Sequence, residues 1–507
     1  MVLFAYVRNF LYFCTPKMDI RLYWVCSKQT KMKNEEIHTI YFLGIGGIGM
    51  SALARYFAAQ GYRVMGYDRT PSPLTHALKV EGIEVQYEDA THWVEQLDKT
   101  HTLVVRTPAV PTQTKLYRYL QEQGFQILKR AEVLGIVTKE KKALCVAGTH
   151  GKTTTSTILA HILHHSHVGT SAFLGGIANN YGTNVLIDTK SDYVVVEADE
   201  FDRSFHHLSP YMSVITSIDP DHLDIYGTED AYRESFMHYA GLVEKALVVK
   251  EGVELSSGGV ELSSSGVEWY AYGVDTAQHD SEKPHFYADN VRVVNGELHF
   301  DFHTPVSVVR DIRLGVPARV NVENSVAAMA IAHLVGATDE ELRQGVESFT
   351  GVYRRFNVHV NTSNVAYIDD YAHHPQELAA SIESVRCLYP DRHMIGVFQP
   401  HLFTRTRDFL NEFASVLSTL DEVVLLPIYP AREEPIEGVT SERLKEEISR
   451  LKTEDNSVRV VEKEELCGVL SEQCKRLNAA GKACVVMTLG AGDIDRLVMN
   501  VKEELTR

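Results

Sequence analysis

The run AGTHGKTTT (147–155) directly follows the apolar stretch ALCV (143–146), and its residue types suit phosphate chemistry. A strand, a glycine turn, a lysine, a threonine and then a helix make a cradle in which backbone N–H groups and the helix N-terminus face an anion. Gly148, Thr149, His150 and Gly151 form the turn, Lys152 can meet the outer phosphates, and the Thr153 hydroxyl can ligate Mg²⁺, with Thr154 beside it. Val146 occupies the first glycine position of the usual GxxxxGK[ST] pattern, so the match is partial. The reading is an ATP site, with a helix predicted from Ser156.

A second glycine run, GIGGIG, supplies Gly44, Gly46, Gly47 and Gly49, followed by Met50, and Asp68 comes nineteen residues after Gly49. This is the dinucleotide fingerprint, and by itself it would suggest NAD. Its physics requires only close backbone approach to a diphosphate, which a UDP-sugar also carries. A chain with a separate ATP loop gains little from NAD, so UDP is favoured, with Thr107, within LVVRTPAV, in the same set.

Carboxylates gather in EADEFD (197–202) and DPDHLD (219–224), each after an apolar strand. Mg²⁺ commonly takes one or two protein carboxylates plus substrate phosphates, which makes Glu197 the candidate ligand. His222 could complete a second metal position or orient a carboxylate, although a lone histidine is more often structural. RRF (354–356), DDYAHHP (369–375) and QPHLFTRTRD (399–408) add cations and imidazoles. Paired arginines are usually a solvated face; Arg355, at a domain junction, could instead swing onto a γ-phosphate. His373 and His374 precede a proline and so fall in a loop or helix start.

The elements that must hold these groups alternate as strand, glycine turn and helix, the signature of parallel sheets. HTIYFLGIGGIGM, YRVMGYD and LVVRTPAV give strands of a first segment. KALCVAG, DYVVVEAD and YMSVITSI give a second, and VAYIDDYAHHP, HMIGVFQP, EVVLLPIYP and ACVVMTLGAGD a third. In all three the polar groups follow strand C-termini, where open α/β sheets bind ligands. A length of 507 residues suits about three domains. The predicted division is an N-terminal extension over 1–34, a Rossmann-like domain over 35–140, a central P-loop ATPase-like parallel sheet over 141–350 and a Rossmann-like domain over 351–507. The Ser/Gly-rich duplication at 251–269 reads as a lengthened surface loop without chemistry.

A net charge of −17 argues against a nucleic-acid partner. Seven cysteines without a CxxC pair suit a reducing cytosol rather than a disulfide framework or a zinc site. The aromatic N-terminus is broken by Arg8, Lys17 and Arg21, too soon for the roughly 18 apolar residues of a span. It reads as a dispensable extension with Met32 as the functional start and no stable membrane insertion.

GIGGIGMSALA, GTHGKTTT, EADE, DPDHLD, RRF, DDYAHHP, FQPH and GAGDI, in this order, resemble the Mur ligase family from about Glu36 to the C-terminus. Each string is weak and the ordered set is specific. The resemblance implies a cytoplasmic, ATP- and Mg²⁺-dependent enzyme, monomer or homodimer, that joins L-alanine to UDP-N-acetylmuramate through an acyl phosphate. It implies that Lys152 contacts the β/γ-phosphates, that Thr153 and Glu197 hold one Mg²⁺, and that His222 serves a second. Asn324 would contact adenine, Asp370 ribose and Arg355 the phosphates, while Tyr371, His373 and His401 would line the amino-acid site. The catalytic set is then Lys152, His222, Arg355, His373 and His401. Three departures stand out. Leu402 replaces an arginine common in alanine-adding members, which leaves Arg405 to hold the alanine carboxylate. EADEFD is similar to the peptide-recycling branch. Phe236 stands near the position where other members carry a carbamylated lysine, so no carbamate is predicted.

Overall fold

The computed structural model describes residues 37–220, 223–255, 266–274, 284–294, 297–431, 433–452 and 457–506. The extension 1–34, His222 and positions 256–265 of the duplication therefore lie outside the described residues. No described helix is long and apolar enough to cross a membrane.

The architecture is the expected α/β one, with three sheets in three successive parts of the chain. The first contains β1 (Thr39–Leu43), β2 (Arg63–Tyr67), β3 (Glu84–Gln86), β4 (Thr102–Arg106) and β5 (Gln126–Lys129), ordered 3-2-1-4-5 and parallel throughout. Helix α1 (Ile48–Ala59) leaves the glycine run after β1, and α2 (Arg130–Glu140) follows β5. Burial on both faces explains why β1 and β4 read as continuous apolar runs.

The second sheet has ten strands: β6 (Lys142–Ala147), β7 (Ser171–Ala178), β8 (Thr183–Leu186), β9 (Tyr193–Glu197), β10 (Pro210–Ile215), β11 (Ala246–Lys250), β12 (Glu268–Val274), β13 (Phe286–Val294), β14 (Glu297–His303) and β15 (Val308–Arg313). Its order is 15-14-13-12-11-10-6-9-7-8, so the three strands read from sequence, β6, β9 and β10, are neighbours in its interior. Antiparallel pairs flank them: β7 with β8 on one side, and β13, β14 and β15 on the other. Helix α3 (Lys152–His165) begins four residues earlier than predicted. Thr153, Thr154 and Thr155 are β-branched and weak helix formers. The Thr155 N–H nevertheless donates to the Gly151 carbonyl at 2.9 Å, and burial of Thr155 through Leu163 outweighs local propensity. Helix α4 (Arg319–Leu334) is buried almost as fully and packs against α3.

The third sheet holds β16 (Asn357–Asn361), β17 (Val365–Asp370), β18 (His393–Phe398), β19 (Glu422–Leu425), β20 (Val458–Val460) and β21 (Cys484–Leu489), ordered 16-17-21-18-19-20. All neighbours are parallel except β16 and β17. Helix α5 (Pro375–Leu388) follows β17 and α6 (Phe403–Asp408) follows β18.

By packing, the chain forms two compact units. One runs up to Lys142 and includes His207–Ser209; the other comprises 143–206 and 210 onward. One hydrophobic cluster in the larger unit runs from Leu144 on β6 through Ala328 on α4 to Ile382 on α5 and Val485 on β21. The second and third sheets thus share a core.

Candidate active site

In the larger unit the groups singled out above meet at the C-terminal ends of β6, β9, β17 and β18. The phosphate loop is tight because its glycines leave no room for side chains. Gly148 has φ +133°, and a Cβ there would lie 2.1 Å from the Thr216 hydroxyl; Gly151 has φ +80°, with Asn324 Oδ1 at 2.7 Å. The loop is held by Thr216, which donates to the His150 carbonyl at 2.5 Å, and by the His150 N–H, which donates to Ser217 Oγ at 3.0 Å. Thr149 donates to the Asp219 carbonyl at 2.7 Å and accepts from Tyr232 at 2.8 Å. Asn324 reaches the loop from α4, accepting from Thr155 at 3.2 Å and donating to Asn321 at 3.0 Å.

Lys152 folds back over this loop. Its ammonium donates to the carbonyls of Gly148 (2.6 Å) and Thr149 (3.1 Å) and pairs with Glu200 at 2.7 Å. Burial opposes its charge, but Glu200, Glu197 and Asp199 outweigh it and hold Lys152 above the ordinary lysine value. Glu197 accepts from the Thr153 hydroxyl at 3.1 Å, while its Oε2 is buried with no hydrogen-bond partner. Burial pushes the Glu197 carboxyl up, against the pull of Lys152 and Arg355. An unpartnered carboxylate oxygen beside a threonine hydroxyl, with Asp199 and Glu200 adding negative charge, is a donor set suited to a hard divalent cation. Among the described residues no group of three or more His, Cys, Asp or Glu side chains is arranged as a metal cage. The site fits Mg²⁺ completed by phosphate oxygens, not a cage made of protein alone.

Arg355 stacks its guanidinium 4.9 Å from the Tyr371 ring centre and faces Glu197, Asp370 and Glu377. Asp370, the last residue of β17, accepts from the Phe356 N–H at 3.3 Å, and burial raises its carboxyl. Next to it His373, His401 and Arg405 form a wall of two neutral imidazoles and one cation. His373 Nδ1 lies 3.0 Å from the Tyr371 carbonyl and 3.2 Å from Glu377. A carbonyl only accepts, so Nδ1 carries the proton and Nε2 is left as an acceptor. His401 has the opposite tautomer. Arg405 donates to its Nδ1 at 3.3 Å, so its Nε2 bears the hydrogen. Burial, His373 and Arg405 lower the His401 imidazole to about 4, and burial is also the main cause of the lowered His373. Leu402 adopts φ +72°, and its N–H donates to the Tyr429 carbonyl at 2.9 Å. Phe236, near the carbamate position of some relatives, is fully buried against Phe205 and Tyr232.

The second glycine run lies in the smaller unit. A Cβ on Gly44 would sit 2.5 Å from Thr107 Cγ2, and one on Gly46 would sit 2.8 Å from Asp68 Oδ2. Asp68 accepts from the Gly46 and Thr70 N–H groups at 2.8 and 3.1 Å, so it braces the loop in this structure. Gly47 caps α1 without a side-chain hydrogen bond, and Met50 is buried in the first turns.

Four groups escaped the sequence reading. Arg130, the first residue of α2, approaches Gly49 so closely that a Cβ there would lie 3.0 Å from its guanidinium. Thr216 and Ser217 have no motif of their own. Glu377 had one, since His374 and Glu377 form a capping box at the start of α5, with the spacing that such boxes require.

Family profiles described as Mur ligase family, catalytic domain; Mur ligase middle domain; and Mur ligase, glutamate ligase domain match residues 39–142, 146–332 and 354–492. The UDP-N-acetylmuramate–L-alanine ligase of Porphyromonas gingivalis W83 is 52% identical over 92% of this chain and 98% of its own. The ligase of the same name from Phocaeicola vulgatus is 51% identical over 92% and 97%. Among solved structures, UDP-N-acetylmuramate-alanine ligase from Thermotoga maritima superposes with a TM-score of 0.75 at 26% identity, covering 92% of this chain and 99% of that one.

Proposed function

Because the chain belongs to the Mur ligase family, we propose that it joins L-alanine to the lactyl carboxylate of UDP-N-acetylmuramate, consuming ATP, in peptidoglycan synthesis. The observation that carries this is the near-full-length identity of 51–52% to relatives that bear that activity in their names.

A carboxylate is a poor acyl donor because oxide would have to leave. In this mechanism the lactyl carboxylate attacks the γ-phosphate in line, giving an acyl phosphate and ADP. Positioning and charge stabilisation supply most of the catalysis. Lys152 exchanges its loop carbonyls for β/γ-phosphate oxygens, and Arg355 faces the transferring group. Thr153 and Glu197 would hold Mg²⁺, which supplies neutralisation of the phosphate charge, and His222 would serve a second ion. Asn324 and Asp370 are assigned to adenine and ribose. The alanine amine then attacks the acyl phosphate, and phosphate leaves from the tetrahedral intermediate. His373 Nε2, an acceptor by its tautomer, takes the amine proton, while the His401 Nε2–H and Arg405 bind the alanine carboxylate in place of the arginine that Leu402 replaces. Residues 35–140 carry the UDP-sugar through Gly44, Gly46, Gly47, Gly49, Met50, Asp68 and Thr107. Residues 141–350 carry ATP, 351–507 the amino acid, and the enzyme works in the cytoplasm.

The EADEFD string keeps one rival in view, ligation of a recycled tripeptide to the same sugar. Phosphate release from ATP should require both UDP-N-acetylmuramate and L-alanine. Release with tripeptide and none with alanine would assign the chain to the recycling reaction. In the alanine reaction, label in the sugar carboxylate oxygen should appear in phosphate; its absence would remove the acyl phosphate.

A further inference from the structure

Glu377 belongs to none of the ligand sets above, yet its carboxylate lies between two of them. On one side its Oε2 accepts from the backbone N–H groups of His373 and His374 at 3.0 and 3.3 Å and lies 3.2 Å from His373 Nδ1. On the other side Oε1 lies 3.6 Å from Nδ1 of His150, in the phosphate loop. That Nδ1 is buried and has no hydrogen-bond partner, and Glu377 Oε1 is the carboxylate oxygen within 4 Å of it. A helix cap alone requires only the backbone acceptor; the approach of two imidazole nitrogens to within 4 Å of one carboxylate is additional.

We propose that Glu377 is a positioning residue for the ligation: together with the Tyr371 carbonyl it holds the His373 ring with Nε2 free for the incoming amine, and it sets the same carboxylate beside His150 of the phosphate loop. This rests on the alanine-ligase reading and deepens it. The Nδ1–H already donates to the Tyr371 carbonyl, which sets the tautomer; a carboxylate 3.2 Å from the same nitrogen helps hold the ring and stabilises the imidazolium formed as Nε2 takes a proton, as the aspartate of a serine hydrolase triad does. Amine attack is thereby coupled to the loop that holds ATP.

The groups facing this carboxylate are His150, His373 and Arg355, with Asp370 on the opposing sign. His373 also faces Arg405, Arg355 and the His401 ring, whose centre lies 6.1 Å away. Burial and the two arginines lower the His373 imidazole, whereas Glu377 raises it. Removing the Glu377 charge therefore lowers it further.

The test uses the full chain and Glu377→Gln, which keeps an oxygen to cap α5. With all three substrates saturating, kcat should fall at least tenfold, because small displacements of a reacting group cost up to about a hundredfold. The acid limb of kcat should move to lower pH while KM for UDP-N-acetylmuramate stays unchanged; some fall in melting temperature is expected because the Glu377 carboxyl is held low in the fold, and the limb shift is the readout that a stability loss alone would not give. In Glu377→Gln/His150→Asn the loss should be no greater than the larger single loss. Unchanged kcat, a loss with the limb in place, or fully multiplying losses would each overturn the proposal. A Glu377→Ala chain that loses stability while Glu377→Gln keeps full activity would reduce the residue to a cap. Wild-type protein without alanine-dependent phosphate release would instead defeat the parent reading.

Discussion

Arg354 is 7% exposed and donates to the Gly490 carbonyl at 2.6 Å and the Gly492 carbonyl at 3.3 Å, with Asp369 at 3.6 Å. Its neighbour Arg355 is half-buried and turns toward the phosphate side. Arg354→Ala would leave the buried Asp369 carboxylate without its cation, with the Thr488 hydroxyl still donating at 2.8 Å, and is expected to cost about 3 kcal/mol, measured by urea unfolding. Burial raises Asp369 to about 6. A carboxyl raised in the fold contributes stability that is complete below its unfolded value and is lost as pH rises through about 6. Losing Arg354 extends that window upward, so the Arg354→Ala deficit should be smaller at about pH 5 than at about pH 8. Arg355→Ala should keep its stability and lose about a hundredfold or more in ATP turnover. In the sequence RRF marks Arg355 as the arginine for the phosphates and gives Arg354 no role. The partners of Arg354 lie 136 and 138 residues away, and no local pattern carries that information.

Strand β7 shows why some elements were legible and others were not. Apolar runs that end in polar groups gave β6, β9, β10, β17 and β18 and the residues after them. SAFLGGIA contains two glycines, which in sequence read as a turn rather than a strand. In the fold those glycines admit neighbours. A Cβ on Gly175 would lie 2.1 Å from Glu197 Oε2, and one on Gly176 2.6 Å from Val352 Cγ1. The strand thereby seats the carboxylate facing Thr153. Gly175→Ala should push Glu197 off the Thr153 hydroxyl at a cost of about 1–3 kcal/mol in stability. Its larger effect should be on the cation site, with at least a tenfold rise in the Mg²⁺ concentration giving half-maximal phosphate release. An unchanged Mg²⁺ dependence would remove Glu197 from that site.

At the scale of the whole molecule, three α/β segments were readable from their alternation, but how they pack was not. That the second and third sheets share a core rests on α4 meeting α5, as where the Arg319 N–H donates to Ser384 Oγ at 3.0 Å, a contact across 65 residues. The two glycine loops lie in different compact units, Gly44–Gly49 in the smaller and Gly148–Gly151 in the larger. If each unit binds its own nucleotide, each ligand should protect its own loop without the other present. A ligand at a hundredfold over its Kd stabilises the state it binds by about 2.7 kcal/mol, roughly a hundredfold in local opening. Hydrogen exchange on the full chain should then slow about that much at residues 44–50 with UDP alone, leaving 148–154 unchanged. ADP with Mg²⁺ should give the reverse pattern. Protection of 44–50 by NADH and not by UDP would turn the fingerprint back to a dinucleotide. Protection of both loops by either ligand would mean that nucleotide binding in one unit alters the other, and the two sites could no longer be treated as independent.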